Sequence, residues 1–177
     1  MKVMNVHFRK LDDVSPAAAG AVLDTLASDE DLLWPHHSWP PMRFDRPLGV
    51  GATGGHGPVR YSVEAYSRGE SIRFRFTRPE GFDGIHAYEV LHEGDAVILR
   101  HVLIMRARGA ALLTWPLVFR PLHDALIEDS LAQAEASLGK SATTRPWSPW
   151  VRLLRWLMSG GRARGQAVPC RKSEPMR

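Results

Sequence analysis

The chain has 177 residues, which suits one domain with an appendage, and 44% of them are hydrophobic, which suffices for a buried core. The longest nearly unbroken apolar run, residues 110–119, is far shorter than the ~20 residues of a membrane-spanning helix. The N-terminus has no long apolar stretch and Cys170 is the only cysteine, so the sequence predicts no secretory signal, no internal disulfide and no cysteine-rich zinc site.

A strand and a helix are predicted first along the chain. Met4, Val6 and Phe8 alternate with polar residues, which is the period of a β-strand. Ser15 and Pro16 then form a helix start, because Ser can cap and Pro needs no hydrogen-bond partner at the first helical position. An irregular segment rich in Asp, Pro, Gly and His covers residues 29–58, with a short strand predicted near residues 42–45.

A central hairpin follows, with Arg68-Gly69 as a two-residue turn in which Gly supplies the positive φ. With that turn, three apolar pairs fall on one face of the hairpin. The pairs are Tyr61–Phe76, Val63–Phe74 and Ala65–Ile72.

A second hairpin is predicted from residues 85–92 and 96–108. If its turn is Glu93-Gly94, His86 lies directly opposite His101 and both imidazoles face the same side. A three-residue turn would instead place the two side chains on opposite faces.

A long helix is predicted from about Trp115-Pro116 to Leu138, ended by Gly139. Pro121 should either kink this helix or mark its true start. Its apolar stripe comprises Phe119, His123, Leu126, Ile127, Leu131, Ala134 and Leu138.

The C-terminal tail differs in charge from the body. Residues 1–139 carry 14 Lys and Arg against 18 Asp and Glu, whereas residues 140–177 carry 9 against 1. Ser148 and Pro149 predict a short amphipathic helix at about 148–159, with disorder from Gly160 onward. An anionic partner would therefore meet the tail first.

This order of elements resembles the START-like (SRPBCC) superfamily, which includes polyketide cyclase/dehydrase-like proteins and lipid-transfer domains. Three stretches carry the resemblance, and it covers roughly residues 3–139. It implies an α+β helix-grip fold, in which a curved antiparallel sheet wraps around the long C-terminal helix. The stretches are residues 49–53, 81–90 and 115–124.

The resemblance further implies a cavity between sheet and helix for an apolar or amphipathic molecule such as a lipid. Loop aromatics at residues 34–39 are interpreted as a lid over its mouth. The ligand-binding residues expected from this placement are Trp34, Tyr61, Phe74, Phe76, Leu99, Leu103, Met105, Phe119 and His123.

His86, His101 and Tyr88 are the candidate catalytic residues, because inward imidazoles beside a phenol can transfer protons to and from a carbonyl compound. The alternative is that they are partly buried side chains with structural hydrogen bonds. No metal site is predicted, since His36-His37 and His56 lack a recognised ligand spacing. No cofactor is predicted either.

Three functions remain open at this stage. The first is binding or carriage of an apolar small molecule, and the second is a cyclase- or dehydratase-type enzyme. The third is a membrane-associated interaction protein that contacts an anionic membrane surface, or a second copy, through residues 147–158. Docking of the same short helix on the protein's own sheet is the alternative for the tail. Nucleic acid is the least favoured partner because the body is acidic. The expected location is cytoplasmic, with a peripheral membrane contact as the variant.

Overall fold

The computed structural model describes residues 1–94, 96–162 and 165–166. The predicted disorder beyond residue 166 lies outside these residues. The described strands are β1 (Lys2–Leu11), β2 (Arg43–Phe44), β3 (Thr53–His56), β4 (Val59–Ser67), β5 (Ser71–Arg78), β6 (Phe82–Glu93) and β7 (Ala96–Ala107). The helices are α1 (Pro16–Asp24), α2 (Ala111–Thr114), α3 (Arg120–Ser137) and α4 (Pro149–Met158).

The strands form one antiparallel sheet in the order β1-β7-β6-β5-β4-β3-β2. Side chains from α1 and α3 join those of the sheet in one buried apolar core. The predicted helix-grip architecture is confirmed, including the additional short C-terminal helix.

The β4–β5 hairpin has the predicted register away from its turn, but not beside it. The pair Ala65–Ile72 is wrong, since Ile72 pairs with Tyr66. The turn is one residue longer than predicted, and a bulge at Glu64 restores the predicted register over residues 61–63. A second irregularity between Arg60 and Tyr61 shifts the pairing again. The confirmed pairs are Tyr61–Phe76 and Val63–Phe74.

The β6–β7 hairpin is shifted by two residues from the predicted register. Glu93 pairs with Ala96, so Tyr88, and not His86, lies opposite His101. A two-residue shift preserves the face of every side chain because strands have a period of two. His86 and His101 therefore still face the same side, as predicted, although they are not direct partners.

Strand β1 turns its polar side toward α3. Met4, Val6 and Phe8 are exposed, whereas the intervening side chains are partly buried. Acidic side chains on α3 explain this orientation, because His7 and Arg9 both bind Glu128.

The long helix is built in three parts. A π-helical turn at Trp115–Phe119 joins α2 to α3. Pro121 lies in the first turn of α3, directly after the π-helical turn, so it falls inside the continuous helical run from α2 to α3. The predicted alternative that Pro121 marks the true start of the long helix is therefore wrong. After the last residue, Ser137, Gly139 adopts a φ of 74°, a left-handed conformation typical of helix termini.

Helix α4 begins as predicted, since the Ser148 hydroxyl accepts a hydrogen bond from Val151 N at 3.2 Å. Val151 and Leu154 are buried in the same core as α3, so the helix is docked on the body. Among the residues that the structure describes, no helix is both long enough and apolar enough to span a bilayer.

Candidate ligand-binding cavity

A cavity of about 550 Å³ lies between the sheet and the helices. Sheet residues and α3 line its interior, and the C-terminal end of α4 borders it. The cavity reaches the surface at two pairs of lining residues that are exposed to solvent. These pairs are Met158-Ser159 and Gly57-Pro58.

Eight of the twelve predicted site residues line this cavity. They are Trp34, Phe76, His86, Tyr88, His101, Leu103, Phe119 and His123. The other four, Tyr61, Phe74, Leu99 and Met105, are buried in the core and are absent from the described lining. The ligand-binding and catalytic roles of all twelve remain predictions.

The two tryptophans of the loop at residues 34–39 are walls of the cavity. Trp34 is 2% exposed and its Nε1 donates to the Pro40 carbonyl at 2.9 Å. Trp39 is also buried, whereas His36 and His37 between them are exposed. The loop therefore contributes its indoles to the interior and its histidines to the surface.

His86 and His101 form a buried pair beneath the cavity. His101 Nε2 lies 3.4 Å from His86 Nδ1. The outer nitrogens, His86 Nε2 and His101 Nδ1, are buried and have no hydrogen-bond partner among the described residues. Burial lowers the pKa of both imidazoles well below its usual value, so both are neutral at pH 7.

A neutral imidazole carries one N–H donor and one acceptor nitrogen. If His101 Nε2 donates to His86 Nδ1, the second proton of the pair is on His86 Nε2, and His101 Nδ1 is an acceptor. If His86 Nδ1 donates instead, His101 Nδ1 carries the second proton and His86 Nε2 is the acceptor. The pair therefore always presents one unpaired donor and one unpaired acceptor. A hydroxyl or carbonyl group of a ligand can complement either state.

The Tyr88 hydroxyl forms a hydrogen bond with a serine of α3. It lies 2.9 Å from Ser130 Oγ, which in turn donates to the Leu33 carbonyl at 3.0 Å. Because the Ser130 proton is used for Leu33, Tyr88 is the donor in the first bond. Burial raises the pKa of Tyr88, so its proton is firmly held.

His56 is a lining residue that the sequence analysis did not assign to the cavity. Its Nδ1 lies 3.0 Å from the Tyr61 hydroxyl, and its ring contacts Trp34 with the centroids 4.7 Å apart. Burial lowers its pKa to about 3. It sits at the end of the short strand β3 within the predicted irregular segment, and no periodicity there indicated an inward side.

One wall of the cavity depends on the tail. The Arg155 guanidinium of α4 lies over the rings of Trp39 and Trp147, 4.3 and 4.8 Å from their centroids, and donates to the Ser38 carbonyl. Both indole nitrogens donate to the Asp129 carboxylate at 2.8 Å. Two aromatic rings and a backbone carbonyl therefore receive the Arg155 guanidinium at this wall.

The described residues contain one group whose ligand atoms are close enough to hold a single metal ion. It consists of His7, His123 and Asp124, and His123 also lines the cavity.

No protein-family model matches the chain, and no curated protein matches it. Solved structures do match. A protein from Thermobifida fusca has 11% identity and a TM-score of 0.57 over 80% of this chain and 99% of its own. CalU16 from Micromonospora echinospora has 11% identity and a TM-score of 0.54 over 88% and 83%. Norcoclaurine synthase from Thalictrum flavum, in complex with dopamine and hydroxybenzaldehyde, has 14% identity and a TM-score of 0.51 over 75% and 84%.

These likenesses concern the fold, since all three identities are below 15%. The predicted resemblance is confirmed at that level.

Proposed function

We propose that this protein, whose fold is the helix grip of the START-like superfamily, binds or carries an apolar or amphipathic small molecule in its cavity. The observation that carries the proposal is an apolar cavity of about 550 Å³ whose lining includes His86 and His101, the two residues that hold the unpaired imidazole nitrogens. That volume lies within the ~300–1,000 Å³ typical of small-molecule sites. Aromatic and aliphatic walls supply the affinity, and few polar groups orient the ligand.

The unpaired nitrogens define the polar part of the ligand. His86 and His101 are neutral, so they offer hydrogen bonds but no positive charge to a buried anion. Leaving a buried polar atom unpaired costs about 1–3 kcal/mol. A ligand with an apolar body and a hydroxyl or carbonyl group regains that free energy when it binds.

Native mass spectrometry of the full chain purified from its host tests the proposal directly, because a retained ligand appears as added mass. Binding is then measured with the neutral fluorescent probe N-phenyl-1-naphthylamine. Leu122→Trp introduces bulk from α3 into the cavity, and we expect it to weaken probe binding by about tenfold or more, which is 1.4 kcal/mol.

Leu112→Trp is the matched control, because Leu112 is 46% exposed and lies outside the described lining. It should leave probe affinity unchanged. A wild-type protein that neither retains a ligand nor binds the probe would contradict the proposal. So would equal effects of the two substitutions in variants that remain folded.

A catalytic variant of this function is favoured by one observation, the His86–His101 pair. At pH 7 the neutral imidazoles have the free lone pair that a general base uses on a carbonyl compound, although burial makes them weaker bases than a free histidine. Tyr88 fits a positioning role better, since Ser130 receives its hydroxyl proton. With the retained ligand identified, a change in its mass on incubation would indicate turnover. His101→Phe should abolish that turnover and Tyr88→Phe should only reduce it.

Contact with an anionic membrane is a second candidate, favoured by the exposed apolar residues of α4. Trp150, Leu153, Trp156, Leu157 and Met158 are each at least 43% exposed. Met158 also borders the cavity, so a bilayer contact would place the mouth at a source of apolar ligand. Co-sedimentation with phosphatidylserine vesicles, weakening as salt rises, is the expected result for a cytoplasmic protein with this surface.

A further inference from the structure

We propose that His7, His123 and Asp124 form a binding site for one divalent transition-metal ion, with Zn²⁺ as the best match. The site lies where β1 meets α3. It goes beyond the proposed ligand binding, and His123 connects it to the cavity, which that residue also lines.

The ligand atoms have the spacing of a tetrahedral site. His7 Nε2 lies 3.3 Å and His123 Nδ1 lies 3.5 Å from the same oxygen, Asp124 Oδ1. One ligand atom from each of the three residues lies within 4.8 Å of the other two. An ion bound at ~2.0–2.1 Å in tetrahedral geometry separates its ligands by about 3.3 Å. Small side-chain adjustments therefore suffice to accommodate it.

The surroundings of the three ligands are those expected around a metal. His7 Nδ1 lies 2.7 Å from Glu128 Oε1, which orients the ring as carboxylates commonly orient metal-binding histidines. Asn5 Nδ2 donates to Asp124 Oδ1 at 2.8 Å. Glu128 is itself paired with Arg9 at 2.6 Å, so its charge is balanced without the ion.

The contact between His7 and Asp124 requires a positive charge. A proton on His7 Nδ1 serves the short bond to Glu128, so a neutral ring directs the lone pair of Nε2 at a carboxylate oxygen 3.3 Å away. Two electron-rich atoms at that distance repel each other. A second proton on His7 resolves the conflict in the metal-free protein, and a metal ion held by His7, His123 and Asp124 would take the place of that proton.

The donor set selects the ion. Two imidazole nitrogens and one carboxylate oxygen suit Zn²⁺, and three protein ligands leave a fourth position for water. The Asp124 side chain is 37% exposed, which provides an entry path. Coordination through Nδ1 would also require His123 Nε2 to carry the proton, so the ion would determine which hydrogen bond His123 offers in the cavity.

The test uses the full chain after treatment with a chelator. Co²⁺ is titrated as a spectroscopic probe, and Zn²⁺ is then added as a competitor. We expect one Co²⁺ per chain with the intense visible absorption of a tetrahedral site, and displacement by Zn²⁺. Glu128→Gln should weaken binding by about 10–100-fold, the usual effect of losing an outer partner. His7→Gln and Asp124→Asn should weaken it at least as much.

His37→Gln is the matched control, because His37 is exposed and its ring contacts His36 and none of the three proposed ligands. It should bind Co²⁺ like the wild type. Asp124→Asn keeps the shape of the side chain, so it decides the matter if His7→Gln fails to fold by circular dichroism. The proposal is overturned if the wild type binds neither ion. It is equally overturned if the Asp124 variant binds as the wild type does.

Discussion

At the scale of single residues, the cavity concentrates four of the eight histidines of the chain. Burial lowers the pKa of His56, His86, His101 and His123, so these rings act as neutral polar groups. His7 behaves in the opposite way. Burial lowers its pKa too, but hydrogen bonds to acidic side chains outweigh that effect and the pKa is raised. The surroundings therefore decide the charge of each imidazole.

The unpaired nitrogens should reduce the stability of the ligand-free protein. We expect the double variant His86→Phe/His101→Phe to raise the free energy of unfolding by about 1–3 kcal/mol, because two buried unpaired polar atoms disappear. His101→Phe alone should be less stable than the double variant, since both His86 nitrogens then lack partners. Urea unfolding of delipidated protein at pH 7.5 measures these values. A double variant less stable than either single variant would show that the pair stabilises the fold.

The same histidines predict sensitivity to acid. Their folded pKa values lie below the unfolded value of ~6.5, so the unfolded chain binds more protons in this range. Their titration therefore leaves the free energy of unfolding unchanged above about pH 6.5 and lowers it as the pH falls toward 3, where His56 titrates. Urea unfolding at pH 7.5 and pH 5 should show a smaller loss in the double phenylalanine variant. Equal losses in both proteins would assign the acid sensitivity to other groups.

At the scale of elements, the docking of α4 depends on a few polar contacts inside an aromatic cluster. Asp129 of α3 accepts hydrogen bonds from both Trp39 and Trp147, and Arg155 of α4 lies against the two rings. The hydrogen bonds lower the pKa of Asp129, but burial raises it by more, so the pKa is raised. The cluster thus ties the loop, α3 and the tail together at the cavity wall.

Trp147→Ala should accordingly lower the free energy of unfolding by about 3–5 kcal/mol, the usual cost for a buried tryptophan. It also removes one donor from the Asp129 carboxylate. Trp156→Ala is the control in the same segment, because Trp156 is 53% exposed, and it should change stability by at most about 0.5 kcal/mol. Chemical denaturation of both variants compares them. Similar values would mean that the cluster does not hold the tail.

At the scale of the whole molecule, the basic tail packs on the acidic body and forms polar contacts with its carboxylates. The boundary between a domain at residues 1–139 and a tail at 140–177 remains a prediction. Contacts cross that boundary before α4 begins: Thr143 N donates to Glu135 at 2.7 Å, and Arg145 lies 3.2 Å from Glu128. The tail therefore contributes both apolar burial and charge balance to the body.

Truncation after Gly139 should leave a folded protein with a lower melting temperature. A loss of ~3 kcal/mol lowers Tm by roughly 6–12 °C in a chain of this size, and the whole tail should contribute at least that much. Differential scanning calorimetry measures the shift, and circular dichroism verifies the fold. An unchanged Tm would indicate that the tail acts only on an outside partner.

The fold could be predicted largely from the sequence. Alternation and turn residues act over short range, so the strands, Ser15 and Ser148 as helix caps, and the shared face of His86 and His101 followed from local pattern. The hairpin registers did not, because a bulge or a longer turn costs little locally and packing elsewhere selects it. Polarity alone would also assign the wrong inner face to β1. The polar side of that strand faces α3 because His7 and Arg9 pair with the acidic Glu128 of that helix.

The tertiary structure, and not the sequence pattern, determines which residues line the cavity wall. His56, Trp39 and Arg155 come from an irregular segment and from the tail, and no period in the sequence relates them to the sheet. The group of His7, His123 and Asp124 joins the first strand to a helix more than a hundred residues later. Local pattern specifies which residues share a face of one element, whereas contacts between distant elements depend on how those faces pack together.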